Sequence, residues 1–325
     1  MNLYINYPSW IHQEVIPGFG LIRWYGLMYL IAFAIAIFLF KKQAKQGLLK
    51  EKVSDDTIFS FFWWSILGLI LGARIFSTLV YDTTWKYWTH PWLIFWPFDE
   101  SMKWTGLQGM SYHGGVIGAF LGSLLWCKKN KKSYLLWADV LVATIPLGYT
   151  FGRIGNFING ELYGRVTSSA VGMVFPQAKR FSVTYSWVQE IMGKTGITAA
   201  EGSTLVNLPR FPSQLFEALF EGLILWALIW FIFRKKKPFD GFVVGTYLAG
   251  YGIFRFFIEY FREPDAQLGY IFSAVKDTPT ALFVSMGNIS TGQILCSIMI
   301  IAGIALNIVL WIRKKSGEKN GKVEC

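Results

Sequence analysis

The chain has 325 residues, a formal net charge of +11 and a mean hydropathy of +0.38, and 53% of its residues are hydrophobic. These values, together with 15 Trp, exclude an ordinary soluble domain and indicate a membrane protein. The positive charge does not indicate nucleic acid binding, because 18 of the 31 Lys and Arg fall in four clusters, at 41–52, 128–132, 234–237 and 313–322.

Seven apolar segments of about 16 to 24 residues recur along the chain, against roughly 20 needed to cross the hydrocarbon of a bilayer. They lie near 21–40, 57–80, 110–127, 134–149, 214–233, 241–261 and 291–312. The basic clusters fall at every second span boundary, so the positive-inside rule predicts an outer N-terminus, a cytoplasmic C-terminus and an odd number of spans. The predicted fold is an all-α membrane protein with seven transmembrane helices and a small extramembrane domain on the outer side.

This organisation divides the chain into five parts. They are an outer interfacial segment at 1–20, transmembrane helices 1–4 at 21–150, a signature loop and outer-side head domain at 151–212, transmembrane helices 5–7 at 213–312, and a basic cytoplasmic tail at 313–325. Residues 1–20 lack the basic start and apolar core of a cleavable signal peptide. The head domain is expected to contain some β-structure.

The first three spans each carry unusual small or polar residues. Tyr25 opens span 1, where an interfacial aromatic belt is an alternative explanation for it. Span 2 contains Gly68 and Gly72, a spacing that permits close helix contact, and then Arg74, which either snorkels to the headgroups or belongs to a site. His113 precedes two glycines at the outer start of span 3 and is either a structural residue or a base that titrates near neutral pH.

Span 4 contains Asp139, which should face the bundle interior, and the most polar stretch of the chain follows that span. It reads Gly152-Arg153-Ile154-Gly155-Asn156-Phe157-Ile158-Asn159-Gly160-Glu161-Leu162-Tyr163-Gly164. The glycines permit tight turns and close approach of the backbone to a ligand. Arg153 offers five donors in a fork that suits phosphate or carboxylate. The stretch indicates a site for an anionic headgroup, and the alternative is a loop that only breaks the helix.

Charged residues also lie within spans 5 and 6. Gln214 and Glu217 share one helical face at the start of span 5. Four residues spaced by three or four share a face at the end of span 6, namely Tyr251, Arg255, Glu259 and Arg262. Charge on one stripe within a membrane indicates a functional site. The alternative is an internally paired Arg-Glu-Arg stripe that only packs helices.

The stretch at 152–164 resembles the signature of the prolipoprotein diacylglyceryl transferase family, Gly-Arg-x-Gly-Asn-Phe-x-Asn-x-Glu-x-x-Gly. The stretches at 24–29, 113–115 and 251–265 are also similar to family motifs. In span 5 the family typically reads Arg-His-Pro-Ser-Gln-Leu-Tyr-Glu. This chain has Phe211 for the His and Phe216 for the Tyr, so a requirement for either polar group does not carry over.

The resemblance implies a multi-pass enzyme of the bacterial cytoplasmic (inner) membrane. It would transfer the diacylglyceryl group of phosphatidylglycerol to the lipobox cysteine of a prolipoprotein, form a thioether and release glycerol phosphate, the first step of lipoprotein maturation. The implied partners are phosphatidylglycerol, the prolipoprotein signal peptide and membrane lipids, with no nucleic acid. We expect no metal and no cofactor, because the arginines supply positive charge and Cys127, Cys296 and Cys325 are scattered.

The resemblance also assigns roles to single residues. The candidate catalytic residues are His113, Arg153, Arg255, Tyr25 and Tyr251. The candidate phosphatidylglycerol-binding residues are Gly152, Arg153, Gly155, Asn156, Glu161, Gly164, Arg255, Glu259 and Arg262. His113 is the candidate base for a thiol of pKa about 8.5, with a tyrosine or the substrate phosphate as alternatives.

A lipid transporter would also need a phosphate site but often has internal repeats, and none is apparent here. A seven-span receptor would not need arginines on several helices.

Overall fold

The computed structural model describes residues 4–16, 18, 23–98, 101–103, 106, 109–264, 269–275 and 279–320. Cys325 and Asp265, the last residue of the stretch at 251–265, lie outside these residues. The chain forms two compact units, one of residues 37–140 and one of residues 1–36 and 141–325.

Helices make up most of the described structure. They are α1 (Trp24–Lys45), α2 (Asp55–Phe76), α3 (Lys86–Thr89), α4 (Tyr112–Lys129), α5 (Tyr134–Val142), α6 (Ile145–Asn159), α7 (Ser186–Thr195), α8 (Ser213–Phe233), α9 (Phe242–Ile258) and α10 (Thr291–Asn320). A π-helical turn, Ser77–Tyr81, extends α2, and a 3-10 turn, Pro91–Phe95, follows α3.

The strands of the described chain are two or three residues long and form three pairs. They are β1 (Ile5–Asn6) parallel to β2 (Met173–Val174), β3 (Phe181–Ser182) antiparallel to β4 (Leu205–Val206), and β5 (Tyr270–Phe272) antiparallel to β6 (Ile289–Ser290).

A helix lies in each of the seven segments that the sequence predicts to span a membrane. By length and composition, four helices in the described ranges can cross a bilayer: α1, Asp55–Tyr81, α8 and Thr291–Ser316. The pair α5 and α6, bent by 43°, makes a fifth if it forms one span. The protein is therefore a mostly helical, multi-pass membrane protein with four or five candidate spans.

Within unit 37–140, glycines bring α2 and α4 into backbone contact. A Cβ on Gly68 would overlap the carbonyl oxygen of Gly118, and a Cβ on Gly72 would overlap that of Gly114. The close helix contact that the spacing of Gly68 and Gly72 predicts is therefore confirmed, because only the hydrogen atoms of these glycines fit between the two backbones. Rings of Phe40, Phe61, Trp126 and Trp137 pack together in the same unit.

Among the described residues of this unit, Arg74 and Asp139 are charged and buried. Arg74, 4% exposed, donates from Nε to the Ile94 carbonyl and from Nη1 to the Gly109 carbonyl at 3.3 Å. Arg74 therefore holds the connection after α2, and its burial against backbone carbonyls disfavours snorkelling, one of the two alternatives for it. Asp139 is 2% exposed, consistent with a carboxylate that faces the protein interior.

In the other unit, residues 165–212 surround a core of their own, built from α7 and the β3–β4 pair. Val188 and Leu208 at its centre are fully buried, and the ring of Phe181 packs against Trp187 at 4.9 Å. Ala281 completes this core from later in the chain.

Candidate active site

The signature stretch begins inside a helix. Helix α6 continues to Asn159 and ends at Gly160, which takes a left-handed conformation with φ of 67°. The expectation of a loop from Gly152 onward is therefore wrong for residues 152–159. Glycine costs about 1 kcal/mol in a helix interior, which tertiary packing offsets. At Gly155 that packing is visible, because a Cβ there would lie 3.3 Å from the ring of Tyr25.

The N-terminal segment satisfies the last carbonyl groups of α6, which no residue of the helix itself can do. The Tyr7 hydroxyl lies 2.9 Å from the carbonyl oxygens of both Phe157 and Ile158, and Gln13 donates to that of Asn159 at 2.9 Å. Burial raises the pKa of Tyr7, so its hydroxyl remains a donor. The end of the signature helix is thereby fixed in direction.

Glu161 orders the polar side chains at this helix end. Its Oε1 accepts hydrogen bonds from Asn156 at 2.9 Å and from Asn159 at 3.3 Å. Because the Asn156 amide nitrogen is bonded in this way, its Oδ1 is turned toward Arg153 and accepts from Nη1 at 3.3 Å. Gln214 at the start of α8 donates to the Glu161 carbonyl at 2.6 Å.

Three guanidinium groups meet at the carboxylate of Glu217 in α8. Oε1 lies 2.8 Å from Arg262 Nη1, and Oε2 lies 2.9 Å from Arg153 Nε and 3.3 Å from Arg255 Nη1. Arg153 and Arg255 therefore point toward the same place from α6 and α9. They share one acid, and neither is isolated with a carboxylate of its own.

Two more glutamates complete this cluster. Arg255 lies 3.2 Å from Glu259 and 3.6 Å from Glu221. The hydroxyl of Tyr149 accepts from Arg153 Nε at 2.7 Å and donates to Glu221. The three arginines thus face three glutamates and the formal charges balance.

The arginines lie on the accessible side of the cluster. Their side chains are 16–18% exposed, whereas that of Glu217 is 0% exposed. Among the described residues, Arg153 makes its hydrogen bonds through Nε and Nη1 and Arg262 makes its hydrogen bond through Nη1, which leaves the two Nη2 atoms outside these bonds. These atoms can donate to an anion while other nitrogens of the same guanidinium groups stay paired with Glu217.

The two candidate tyrosines make different contacts. The hydroxyl of Tyr25 lies 3.0 Å from that of Tyr29, and its ring lies over Gly155. The ring of Tyr251 meets that of Tyr149 edge-to-face at 5.9 Å. Tyr149 thereby links Tyr251 to Arg153.

His113 belongs to the other unit, 37–140, and is described there by itself. It is exposed, in the first turn of α4, and its Nδ1 lies 2.8 Å from the Tyr81 hydroxyl. In the described chain the hydrogen bond of this imidazole uses Nδ1, and an exposed ring nitrogen such as Nε2 can take part in proton transfer. Among the described residues, no group of three His, Cys, Asp or Glu is placed to hold a metal ion.

A model of the prolipoprotein diacylglyceryl transferase family matches residues 15–309. The chain belongs to this family. It is 53% identical to the phosphatidylglycerol–prolipoprotein diacylglyceryl transferase of Treponema denticola, over 100% of both chains. The enzyme of Treponema pallidum is 54% identical to the chain, over 93% of this chain and 94% of that enzyme. The enzyme of Borreliella burgdorferi is 41% identical, over 99% of this chain and 97% of that enzyme.

The chain differs from the family pattern near Gly164. Gly164 donates to the Phe211 carbonyl at 2.8 Å, and a Cβ on it would overlap the Phe261 carbonyl oxygen. The rings of Phe211 and Phe216 both pack on Phe261, at 5.1 and 5.6 Å. The two phenylalanines that replace the family's His and Tyr therefore form one apolar cluster beside the end of the signature.

Sequence reasoning missed Glu217, Glu221 and Tyr149 as members of the charged cluster. A signal for the two acids was present, because carboxylates four residues apart share a face within an apolar span and are costly there. Tyr149 gave no such signal, since tyrosine is common near span ends.

Proposed function

We propose that the protein transfers the diacylglyceryl group of phosphatidylglycerol to the thiol of a prolipoprotein lipobox cysteine, forming a thioether and releasing glycerol phosphate. The observation that carries the proposal is the convergence of Arg153, Arg255 and Arg262 on Glu217 among apolar helices. Family membership and relatives named for this lipid and this protein substrate support it.

The proposed setting is the bacterial inner membrane, crossed seven times, with the N-terminus outside and the C-terminus in the cytoplasm. The four basic clusters support this orientation. In this topology the outer ends of the spans carry the arginine cluster and His113. The lipid donor would then enter from the outer leaflet, with its acyl chains along the helices and its phosphate at the arginines.

The reaction replaces a carbon–oxygen bond by a carbon–sulfur bond. The cysteine thiolate attacks the glyceryl carbon that bears the phosphate ester, and the electron pair of the broken bond leaves with the phosphate oxygen of glycerol phosphate. Arg153 and Arg255 stabilise the charge that develops on that oxygen. His113 is the proposed acceptor of the thiol proton, since a thiol of pKa about 8.5 is mostly protonated at neutral pH.

The remaining candidates have supporting roles in this proposal. Tyr25 and Tyr251 position the headgroup. Asn156 orients Arg153 by accepting a hydrogen bond from its guanidinium group, and Glu161 orients Asn156 by accepting one from its amide. Arg262 and Glu259 complete the charged cluster.

The test uses the purified full-length protein with phosphatidylglycerol and a lipobox-cysteine peptide, and follows the thioether-linked product by mass spectrometry. Arg153→Ala and Arg255→Ala should each lower the rate by at least about 100-fold. His113→Gln should lower it less. Arg180→Ala, at an exposed site in 165–212, is the matched control and should retain the wild-type rate. Absence of thioether product with the wild type would reject the proposed function, and full activity of either arginine variant in the cluster would reject its assignment.

A further inference from the structure

Glu217 differs from every other carboxylate of the charged cluster in its contacts. Both of its oxygens are used, by three arginines that come from α6, from α9 and from the turn after α9. It is 0% exposed, so it lies behind the guanidinium groups and away from the accessible side. A side chain in this place can direct the arginines without contact with a ligand.

We propose that Glu217 is a positioning residue that sets the direction in which Arg153, Arg255 and Arg262 present their remaining N–H donors to the lipid phosphate. This inference rests on the proposed function. Each guanidinium group is paired with Glu217 through one nitrogen, which restricts where its other N–H groups can point, so an anion meets them with less ordering to come.

Glu221 provides a comparison within the same helix, one turn further on. It is equally buried, but its only arginine within 4.0 Å among the described residues is Arg255, at 3.6 Å. Its other partner is the hydroxyl of Tyr149. Replacing either glutamate with glutamine removes the same charge from the same helix, but only the change at Glu217 removes the common partner of all three arginines.

Loss of positioning and loss of binding predict different kinetics. Glu217→Gln leaves three arginines against two glutamates, so attraction for an anionic lipid is retained and the apparent KM should not rise. The guanidinium groups lose their common orientation, so kcat should fall. A residue that only supports folding would change the yield of folded protein and leave kcat per folded molecule unchanged.

The experiment measures kcat and apparent KM for phosphatidylglycerol in Glu217→Gln and Glu221→Gln, each normalised to folded protein by size-exclusion chromatography. We expect kcat to fall by about 100-fold in Glu217→Gln and by less than about 10-fold in Glu221→Gln, with no rise in apparent KM for Glu217→Gln. Equal losses of kcat in both variants, or a raised KM with kcat retained in Glu217→Gln, would overturn the inference. An inactive wild type would instead reject the proposed function.

Glu217→Asp decides the question if Glu217→Gln does not fold. This variant keeps the carboxylate but withdraws it by one methylene, so the arginines are still paired but displaced. A folded Glu217→Asp protein with reduced kcat and unchanged apparent KM supports positioning. Wild-type kcat in that variant, or failure of it to fold, overturns the inference.

Discussion

Gly164→Ala is a sharp test of how the signature is held, because the methyl group would enter a space that backbone atoms already occupy. Gly164 bridges to Arg262 in the chain after α9 and donates to Phe211 before α8. A Cβ at this position would overlap the Phe261 carbonyl oxygen and would lie 3.0 Å from both the Cβ and the carbonyl oxygen of Phe211. Backbone oxygens cannot rotate away as side chains do, so the junction itself must move.

The expected cost follows from this geometry. Inserting a methyl group into a packed site costs about 1–3 kcal/mol, and the upper end applies because two of the three neighbours are backbone oxygens. For a unit of this size, about 3 kcal/mol lowers the unfolding midpoint by roughly 6–12 °C. The transfer rate should fall as well, since Arg262 is displaced from Glu217.

Gly152→Ala is the matched control from the same signature. A Cβ at Gly152 meets nothing within 4 Å, and the residue lies inside α6, where alanine is favoured over glycine by about 0.5–1 kcal/mol. Thermal unfolding in detergent should therefore show an equal or slightly higher midpoint for Gly152→Ala and a clearly lower one for Gly164→Ala. Equal midpoints in the two variants would refute the packing argument.

Two further substitutions test other contacts. Asn156→Asp places a carboxylate where an amide donates to Glu161 at 2.9 Å. The lost hydrogen bond and the like-charge repulsion should lower the free energy of unfolding by about 1–3 kcal/mol, and the transfer rate should fall as well. A variant as stable and active as the wild type would contradict this. Gly118→Ala should force α2 and α4 apart and lower the thermal unfolding midpoint, because a Cβ there overlaps the Gly68 carbonyl oxygen. Gly26→Ala is the control, since a Cβ at Gly26 meets nothing within 4 Å. Equal midpoints in the two variants would contradict the close packing of α2 on α4.

The helices and one helix contact could be predicted from sequence because each leaves a local signal. Apolar segments of near-spanning length coincide with helices, and the spacing of Gly68 and Gly72 places both on the face that meets α4. The stripe Tyr251, Arg255 and Glu259 follows from helical periodicity alone. These predictions need no knowledge of what lies opposite each residue.

The errors and omissions have a common cause, which is tertiary contact. Glycines at 152 and 155 suggested a loop, but packing against Tyr25 and hydrogen bonds from Tyr7 and Gln13 maintain the helix. Glu217 was recognised as part of a helical face, but its meeting with three arginines depends on how α6, α8 and α9 pack. No pattern within one segment contains that information.

The charged cluster can be weighed against the alternative that Arg255, Glu259 and Arg262 only join helices. Buried ion pairs stabilise proteins poorly, because desolvation offsets most of their attraction, and apolar side chains would hold α8 to α9 as well. Packing alone also leaves the arrangement within the cluster unexplained. The acid at its centre is fully buried, as its neighbour Glu221 is, and the arginines keep the accessible side. A cluster with balanced charges therefore presents a cationic surface, which suits an incoming phosphate better than it suits a helix contact.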